Sequence, residues 1–191
     1  MTIRKYLTVP NALSASRIVF LPLLYVFALK GMEIPFVVAY ALLGATDAFD
    51  GYLARRLNQS SEIGKILDAW ADLAMYVSTA FFLARLHMDY LRPNMVFLYV
   101  FFSILGLSLV VSAIKLRKPI IMHTIVLKVD AVLLYFLMIF SAFFDTTVFV
   151  TVVLAGYTLG FVESILIFLL NKSVDPDSPT IFHVRPEPKR S

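Results

Sequence analysis

Six apolar stretches, at residues 11–30, 34–56, 61–86, 92–115, 119–143 and 147–171, take up most of this chain of 191 residues. Each is close to the roughly 20 residues that cross a bilayer core as a helix. So many apolar segments exceed what the polar residues can cover: 60% of residues are hydrophobic and 16% charged, against about 25% charged in an ordinary soluble domain. In lipid every backbone N–H and C=O must find its partner within the protein, which leaves the helix as the local structure. The expected fold is therefore all-α. A six-helix integral membrane domain covers residues 1–172, and a mobile cytoplasmic tail covers 173–191, where prolines and polar residues replace the apolar pattern. The length suits one domain. The first stretch lacks a small-residue cleavage site and is long for a signal peptide. The absence of cysteine excludes a disulfide framework and a thiolate zinc site.

Lys and Arg set the orientation. Arg4, Lys5, Arg55, Arg56, Lys65, Lys115, Arg117, Lys118, Lys172, Arg185, Lys189 and Arg190 fall on one side; Lys30, Arg85 and Arg92 fall on the other. That bias places both termini, and the loop between the second and third helices, in the cytoplasm. A net charge of +4 carried at segment ends suits membrane orientation rather than nucleic-acid binding.

Four carboxylates interrupt the apolar pattern at that loop. Asp47 and Asp50 are three residues apart, and Asp68 and Asp72 are four apart, so each pair occupies one face of a helix. Acids at membrane depth are costly and persist where they bind something or carry chemistry. Four of them converging require a cation to offset their repulsion. Their polar helix ends are expected to face a cavity near the cytoplasmic face. Oxygen-only ligands select hard cations, Mg²⁺ or Mn²⁺ among them, and four acids suffice for two ions roughly 4 Å apart. Arg55 offers a planar fork for phosphate. Gly51, Ala54 and Gly64 are small enough for a ligand to approach the backbone. A pyrophosphate-containing nucleotide meets these demands together.

The full spacing, Asp47-x2-Asp50-Gly51-x2-Ala54-Arg55-x8-Gly64-x3-Asp68-x3-Asp72, resembles the signature of the CDP-alcohol phosphotransferase (CDP-alcohol phosphatidyltransferase) family, class I, at every fixed position. The run Asn11-x-x-Ser14-x-x-Arg17 is similar to one that many members carry before their first helix. The resemblance implies transfer of a substituted phosphate from a CDP-linked donor to an alcohol with release of CMP. In the phosphatidyltransferase branch the donor is CDP-diacylglycerol. It implies that Asp47, Asp50 and Asp68 bind two Mg²⁺ or Mn²⁺ ions, that Asp72 is a ligand and the general base, and that Gly51, Ala54, Arg55 and Gly64 contact the nucleotide. It also implies a homodimer, for which Ser103 and Gly106 offer a face of small residues.

The acceptor is open at this point. Lys115, Arg117 and Lys128 form either a basic pocket for a phosphorylated alcohol or an ordinary positive-inside loop. Leu73 after Asp72, and Ala113-Ile114-Lys115-Leu116-Arg117 after the fourth helix, depart from the runs typical of phosphatidylglycerophosphate synthases. His123 reads as an interfacial or hydrogen-bonding residue, Trp70 as helix packing. Asp130 and Glu163 are intramembrane acids with a functional prior; Asp130 is placed for an acceptor cavity, Glu163 for a polar neighbour or a dimer contact. Asn11, Ser14 and Arg17 either orient the first helix or touch the nucleotide. Two other functions compete with a phosphatidyltransferase: a CDP-choline or CDP-ethanolamine enzyme acting on diacylglycerol, and a divalent-cation transporter. Against the transporter stand an arginine beside the acids, acids toward one face and no internal repeat.

Overall fold

The computed structural model describes residues 8–56, 62–117, 119–171 and 173–184; within its helices the side chains at 9–10, 47–55, 62–63, 65–66, 68–69 and 73 lie outside the described ones. Helices α1 (Val9–Leu29), α2 (Glu33–Arg56), α3 (Glu62–Leu86), the single turn α4 (Met88–Leu91), α5 (Met95–Leu116), α6 (Ile125–Phe140) and α7 (Thr147–Leu170) follow in order, with 3-10 turns at Arg92–Asn94 and Ile181–His183. Strands are absent among the described residues. Among the described residues three segments, Asn11–Leu29, Met88–Leu116 and Thr147–Leu170, are long and apolar enough to cross a bilayer. Large apolar side chains stand on the outer faces, Ile114 at 74% and Leu170 at 72% exposure, as lipid rather than water requires. The protein is an integral membrane protein.

The chain divides into two compact units, Met1–Met88 with Met138–Phe144, and Asp89–Leu137 with Asp145–Ser191. In the first, α1 packs against both α2 and α3. Thr8 caps α1 by accepting from the Asn11 N–H at 3.4 Å. The helix ends in a Schellman turn: Gly31, at φ +65°, donates to Ala28 O at 3.2 Å, and Met32 donates to Phe27 O at 2.9 Å. Leu24, Ala28, Phe36 and Phe82 are fully buried. Tyr25 stands 4.8 Å from Phe82 and 5.2 Å from Phe81, centroid to centroid. Phe36 meets Phe82 edge-on at 4.9 Å. Two hydroxyl pairs pin the helices, Tyr25 to Ser78 and Tyr40 to Thr79, each at 2.9 Å. Because the Thr79 hydroxyl donates to Met75 O, the Tyr40 hydroxyl is the donor to Thr79.

In the second unit α5 packs on α7 over a core of Ile120, Met122, Leu127, Phe161, Ile167, Phe168 and Val174. The start of α7 is fixed by Asp145, whose Oδ1 accepts from the Thr147 N–H at 2.8 Å. The Thr147 hydroxyl and N–H hold that carboxyl below its usual range. The fifth helix, expected from residue 119, begins at Ile125. Pro119 has no N–H to give to a helix, and Arg117 at φ 58° has already turned the chain out of α5. The extended stretch beyond it bonds elsewhere: Ile120 N–H to Ser112 Oγ at 3.1 Å, His123 N–H to Pro176 O at 2.8 Å, and Ile125 N–H to Pro179 O at 2.9 Å. The partners at 176 and 179 belong to the C-terminal segment, whose Val174 and Ser178 are buried to 1% and 0%.

α6 meets α7 at Gly156 and Gly160, a Gly-x3-Gly spacing that lets two helices approach closely. A Cβ on Gly156 would sit 2.3 Å from Asp130 Oδ2, and one on Gly160 would sit 2.6 Å from Leu127 Cδ2. Leu127, whose Cγ would lie at 2.8 Å, and Asp130 are both buried, 7% and 3% exposed. Gly156→Ala and Gly160→Ala are therefore each expected to cost about 1–3 kcal/mol, which thermal unfolding of the two purified variants would check.

Candidate functional site

The two carboxylate pairs lie on α2 and α3, and both helices are continuous through the motif: Asp47 to Arg55 are helical in α2, Gly64 to Asp72 in α3. Gly64 stays helical and is half-buried. The side chains of Asp47, Asp50, Ala54, Arg55 and Asp68, and the surroundings of Gly51, lie outside the described residues. Their backbone register is nevertheless set by the contacts further along. Phe36 meets Phe82 and Tyr40 meets Thr79, so α2 and α3 run antiparallel. Counting away from the Tyr40–Thr79 bond, position 47 is seven residues on along α2 and position 72 seven residues back along α3. Positions 50 and 68 are ten and eleven residues away. At 1.5 Å rise per residue the pairs fall at matched levels, about 10 Å and about 15 Å from that bond. Seven residues are close to two full turns, so 47 shares the α2 face of Tyr40 and 72 shares the α3 face of Thr79.

Asp72 is the motif carboxylate whose surroundings are described. It is half-buried and its Oδ1 accepts a hydrogen bond from Arg17 Nη1, an ion pair between α1 and α3. Arg17 is 2% exposed, and Ser14 and Asn11, one and two steps of three earlier on α1, are buried with it. Their spacing alone allows either helix orientation or nucleotide contact for these three residues. The structure gives the capping role to Thr8 and Arg17 to Asp72. The spacing of three was the available signal; the partner, 55 residues away, was not.

Lys115 is exposed in the last turn of α5, Arg117 is exposed as its left-handed cap, and Lys128 is exposed in the first turn of α6. All three belong to the second unit. Lys128 edges a shallow groove of about 400 Å³ lined otherwise by Ile125, Val129, Val132 and Leu133. Trp70, at 63% exposure, is on the surface of α3 rather than packed within the chain. His123 Nδ1 lies 3.3 Å from Asp177 Oδ1, both exposed. Glu163 Oε1 accepts the Ile181 N–H at 2.9 Å, so the polar neighbour expected for it is a backbone group of the C-terminal segment. Asp130 is buried against Gly156.

The donor set on these two helices consists of carboxylate oxygens, the ligand chemistry of Mg²⁺ and Mn²⁺, and the helical register is compatible with them. A relative in Aquifex aeolicus, named CDP-diacylglycerol–glycerol-3-phosphate 3-phosphatidyltransferase, is 34% identical over 114 residues, which cover 59% of this chain and 61% of the relative. A cardiolipin synthase (CMP-forming) of Streptomyces coelicolor is 38% identical over 81 residues, 39% of this chain and 38% of the relative. The CDP-diacylglycerol–inositol 3-phosphatidyltransferase of Rattus norvegicus is 36% identical over 94 residues, 48% of this chain and 41% of the relative. The chain thus spans less than two-thirds of the length of each of these relatives. The sequence model of the CDP-alcohol phosphatidyltransferase family matches residues 7–164, a stretch that contains the whole Asp47–Asp72 motif and Arg17. The chain belongs to the CDP-alcohol phosphatidyltransferase family.

Proposed function

We propose that the protein transfers the phosphatidyl group of CDP-diacylglycerol to a hydroxyl of a small polar alcohol and releases CMP. The observation that carries this is the eight-position motif, intact in sequence and borne on two continuous antiparallel helices, in a chain of this family. Asp47, Asp50, Asp68 and Asp72 hold two divalent ions, Mg²⁺ or Mn²⁺. When bound, these ions offset the charge of the pyrophosphate and of the departing CMP. Arg55 engages phosphate oxygens through its fork. Gly51, Ala54 and Gly64 admit the nucleotide against the helix backbone. Asp72 accepts the proton of the acceptor hydroxyl as its oxygen bonds to the phosphatidyl phosphorus. The phosphorus–oxygen bond to the cytidylyl phosphate breaks, and CMP leaves with that electron pair.

All six long helices span the bilayer, with both termini and the carboxylates on the cytoplasmic side. α6, at 16 residues, is about 24 Å long, somewhat less than the roughly 30 Å hydrocarbon core, and the neighbouring loop residues complete its passage. Residues 1–172 form the membrane domain, and the chain after them is on the cytoplasmic side, with Val174 packed into the core of the second unit. The enzyme works as a homodimer. Gly106, where an added Cβ would meet nothing within 4 Å, leaves room for a partner helix. Lys115, Arg117 and Lys128 receive the acceptor, which is polar and, in the form these cations favour, phosphorylated. Glycerol 3-phosphate leads the candidates because the Aquifex relative's name carries it. Family membership favours this function over cation transport, and intact acids favour an active enzyme.

The test is CMP release by purified protein in detergent with Mg²⁺, CDP-diacylglycerol and, in turn, glycerol 3-phosphate, inositol, inositol 1-phosphate, serine and phosphatidylglycerol. Release with one acceptor that EDTA abolishes is the expected result. Release only when CDP-choline or CDP-ethanolamine is given with diacylglycerol would move the protein to that branch, and failure to bind any CDP-linked donor would overturn the proposal.

A further inference from the structure

α1 is apolar but for one side. Asn11, Ser14 and Arg17 recur every three residues and all are buried, Arg17 to 2%. This helix packs against both α2 and α3, the two that carry the aspartates. An arginine in such an interior keeps its charge and persists where that charge is matched. Its recorded match is Asp72, through Nη1 to Oδ1. We propose that Arg17 is the positioning residue of Asp72, holding the carboxylate in one rotamer through Oδ1. This rests on the phosphatidyltransferase function given to Asp72 above.

Two features support positioning over a purely structural pair. The guanidinium is nearly inaccessible while the carboxylate is 36% exposed, so the pair presents its anionic member outward and its cationic member to the protein. The anchor also lies on a third helix, so the geometry of Asp72 is tied to α1 as well as to its own helix. Groups that orient a metal ligand or base from behind change metal affinity or activity by about 10–100-fold when removed.

The experiment uses the full chain in detergent with four variants, Arg17→Gln, Arg17→Lys, Asp72→Asn and the double Arg17→Gln/Asp72→Asn. It reads thermal unfolding across a Mg²⁺ titration, and CMP release. Arg17→Gln is expected to lower kcat and to raise the Mg²⁺ concentration that half-stabilises the protein, each by about 10-fold or more. KM for CDP-diacylglycerol stays within about threefold. Arg17→Lys regains part of both losses, and Arg17→Gln adds less than about twofold on an Asp72→Asn background, because two groups acting as a unit are not additive. Unchanged kcat and Mg²⁺ dependence in a folded Arg17→Gln protein overturns the proposal. So does a raised KM at unchanged kcat, which would make Arg17 a donor contact, or a full additional loss on the Asp72→Asn background. If Arg17→Gln fails to fold, the double variant decides: folding restored by removing the second charge supports the pairing, and no gain over Arg17→Gln refutes it. Should the wild type respond to Mg²⁺ but turn over no acceptor, the transfer function fails, and the Mg²⁺ titration alone decides the part assigned to Arg17.

Discussion

Asp68→Asn and Asp72→Asn are expected to lower the rate of CMP release by about 10²–10⁴-fold, the range of a positioned general base or of a lost ligand to an essential ion. Asp72→Asn should part company with Asp47→Asn and Asp50→Asn in stability. Asp72 is the charge partner of the buried Arg17. An asparagine there keeps an oxygen for the guanidinium but loses the anion, a loss of about 1–3 kcal/mol for a hydrogen bond to a charged group. The half-exposure of Asp72 favours the lower end. Asp47→Asn and Asp50→Asn each remove one of the four like charges of the motif. Without metal they are expected to leave the unfolding temperature unchanged or to raise it. Thermal unfolding in EDTA separates the two classes, and turnover with Mg²⁺ shows all four variants impaired. Near-normal turnover in either Asp68→Asn or Asp72→Asn would sink the transfer mechanism, whatever the unfolding temperatures show.

What could be read from the sequence followed its local periodicities. The span expected at 34–56 is α2, Glu33–Arg56; that at 61–86 is α3, Glu62–Leu86; and that at 147–171 is α7, Thr147–Leu170. In each case an uninterrupted apolar run, or a motif spaced by three and four, carries the helix. The site could be read to the same depth: four acids and their helical spacing are properties of short segments. What could not be read depended on pairings between distant segments. Ile120, Ile121 and Met122 after Pro119 form an apolar run that continues a helix pattern. The N–H groups of Ile120, His123 and Ile125 are bonded instead by Ser112 Oγ and by the carbonyls of Pro176 and Pro179. Arg17 was visible as an odd charge in the first helix, but nothing within its own turn identifies Asp72. Gly156 and Gly160 carry a readable small-residue spacing, although the reason for it, the Asp130 and Leu127 side chains on α6, lies on another helix. Composition alone made residues 173–191 a tail, because proline and polar residues outnumber the few apolar ones. Val174 and Ile181 act through where they sit and not through how many they are.

That segment supplies the last large effect. A chain ending at Lys172 is expected to lose the second unit's packing, although every apolar stretch from 11 to 171 remains. Val174 is 1% exposed within the cluster of Ile120, Met122, Leu127, Phe161, Ile167 and Phe168, and burying a valine contributes about 1.5–3 kcal/mol. Truncation also strips Met122 and Phe168 of cover and leaves the His123 and Ile125 N–H groups without the carbonyls of Pro176 and Pro179. The half-buried Glu163 loses the Ile181 N–H, and a carboxylate partly withdrawn from water without a donor adds to the cost. The combined loss is about 4–8 kcal/mol, or roughly 8–30 °C in unfolding temperature for a chain of this size. Two point changes apportion it. Val174→Ala is expected to cost about 1–2 kcal/mol through the cavity it leaves, and Glu163→Ala to cost less than truncation because it removes the acid together with the bond. Thermal unfolding and monodispersity in detergent measure all three. A truncated protein as stable and monodisperse as the full chain would show that the segment rests on a unit already complete without it.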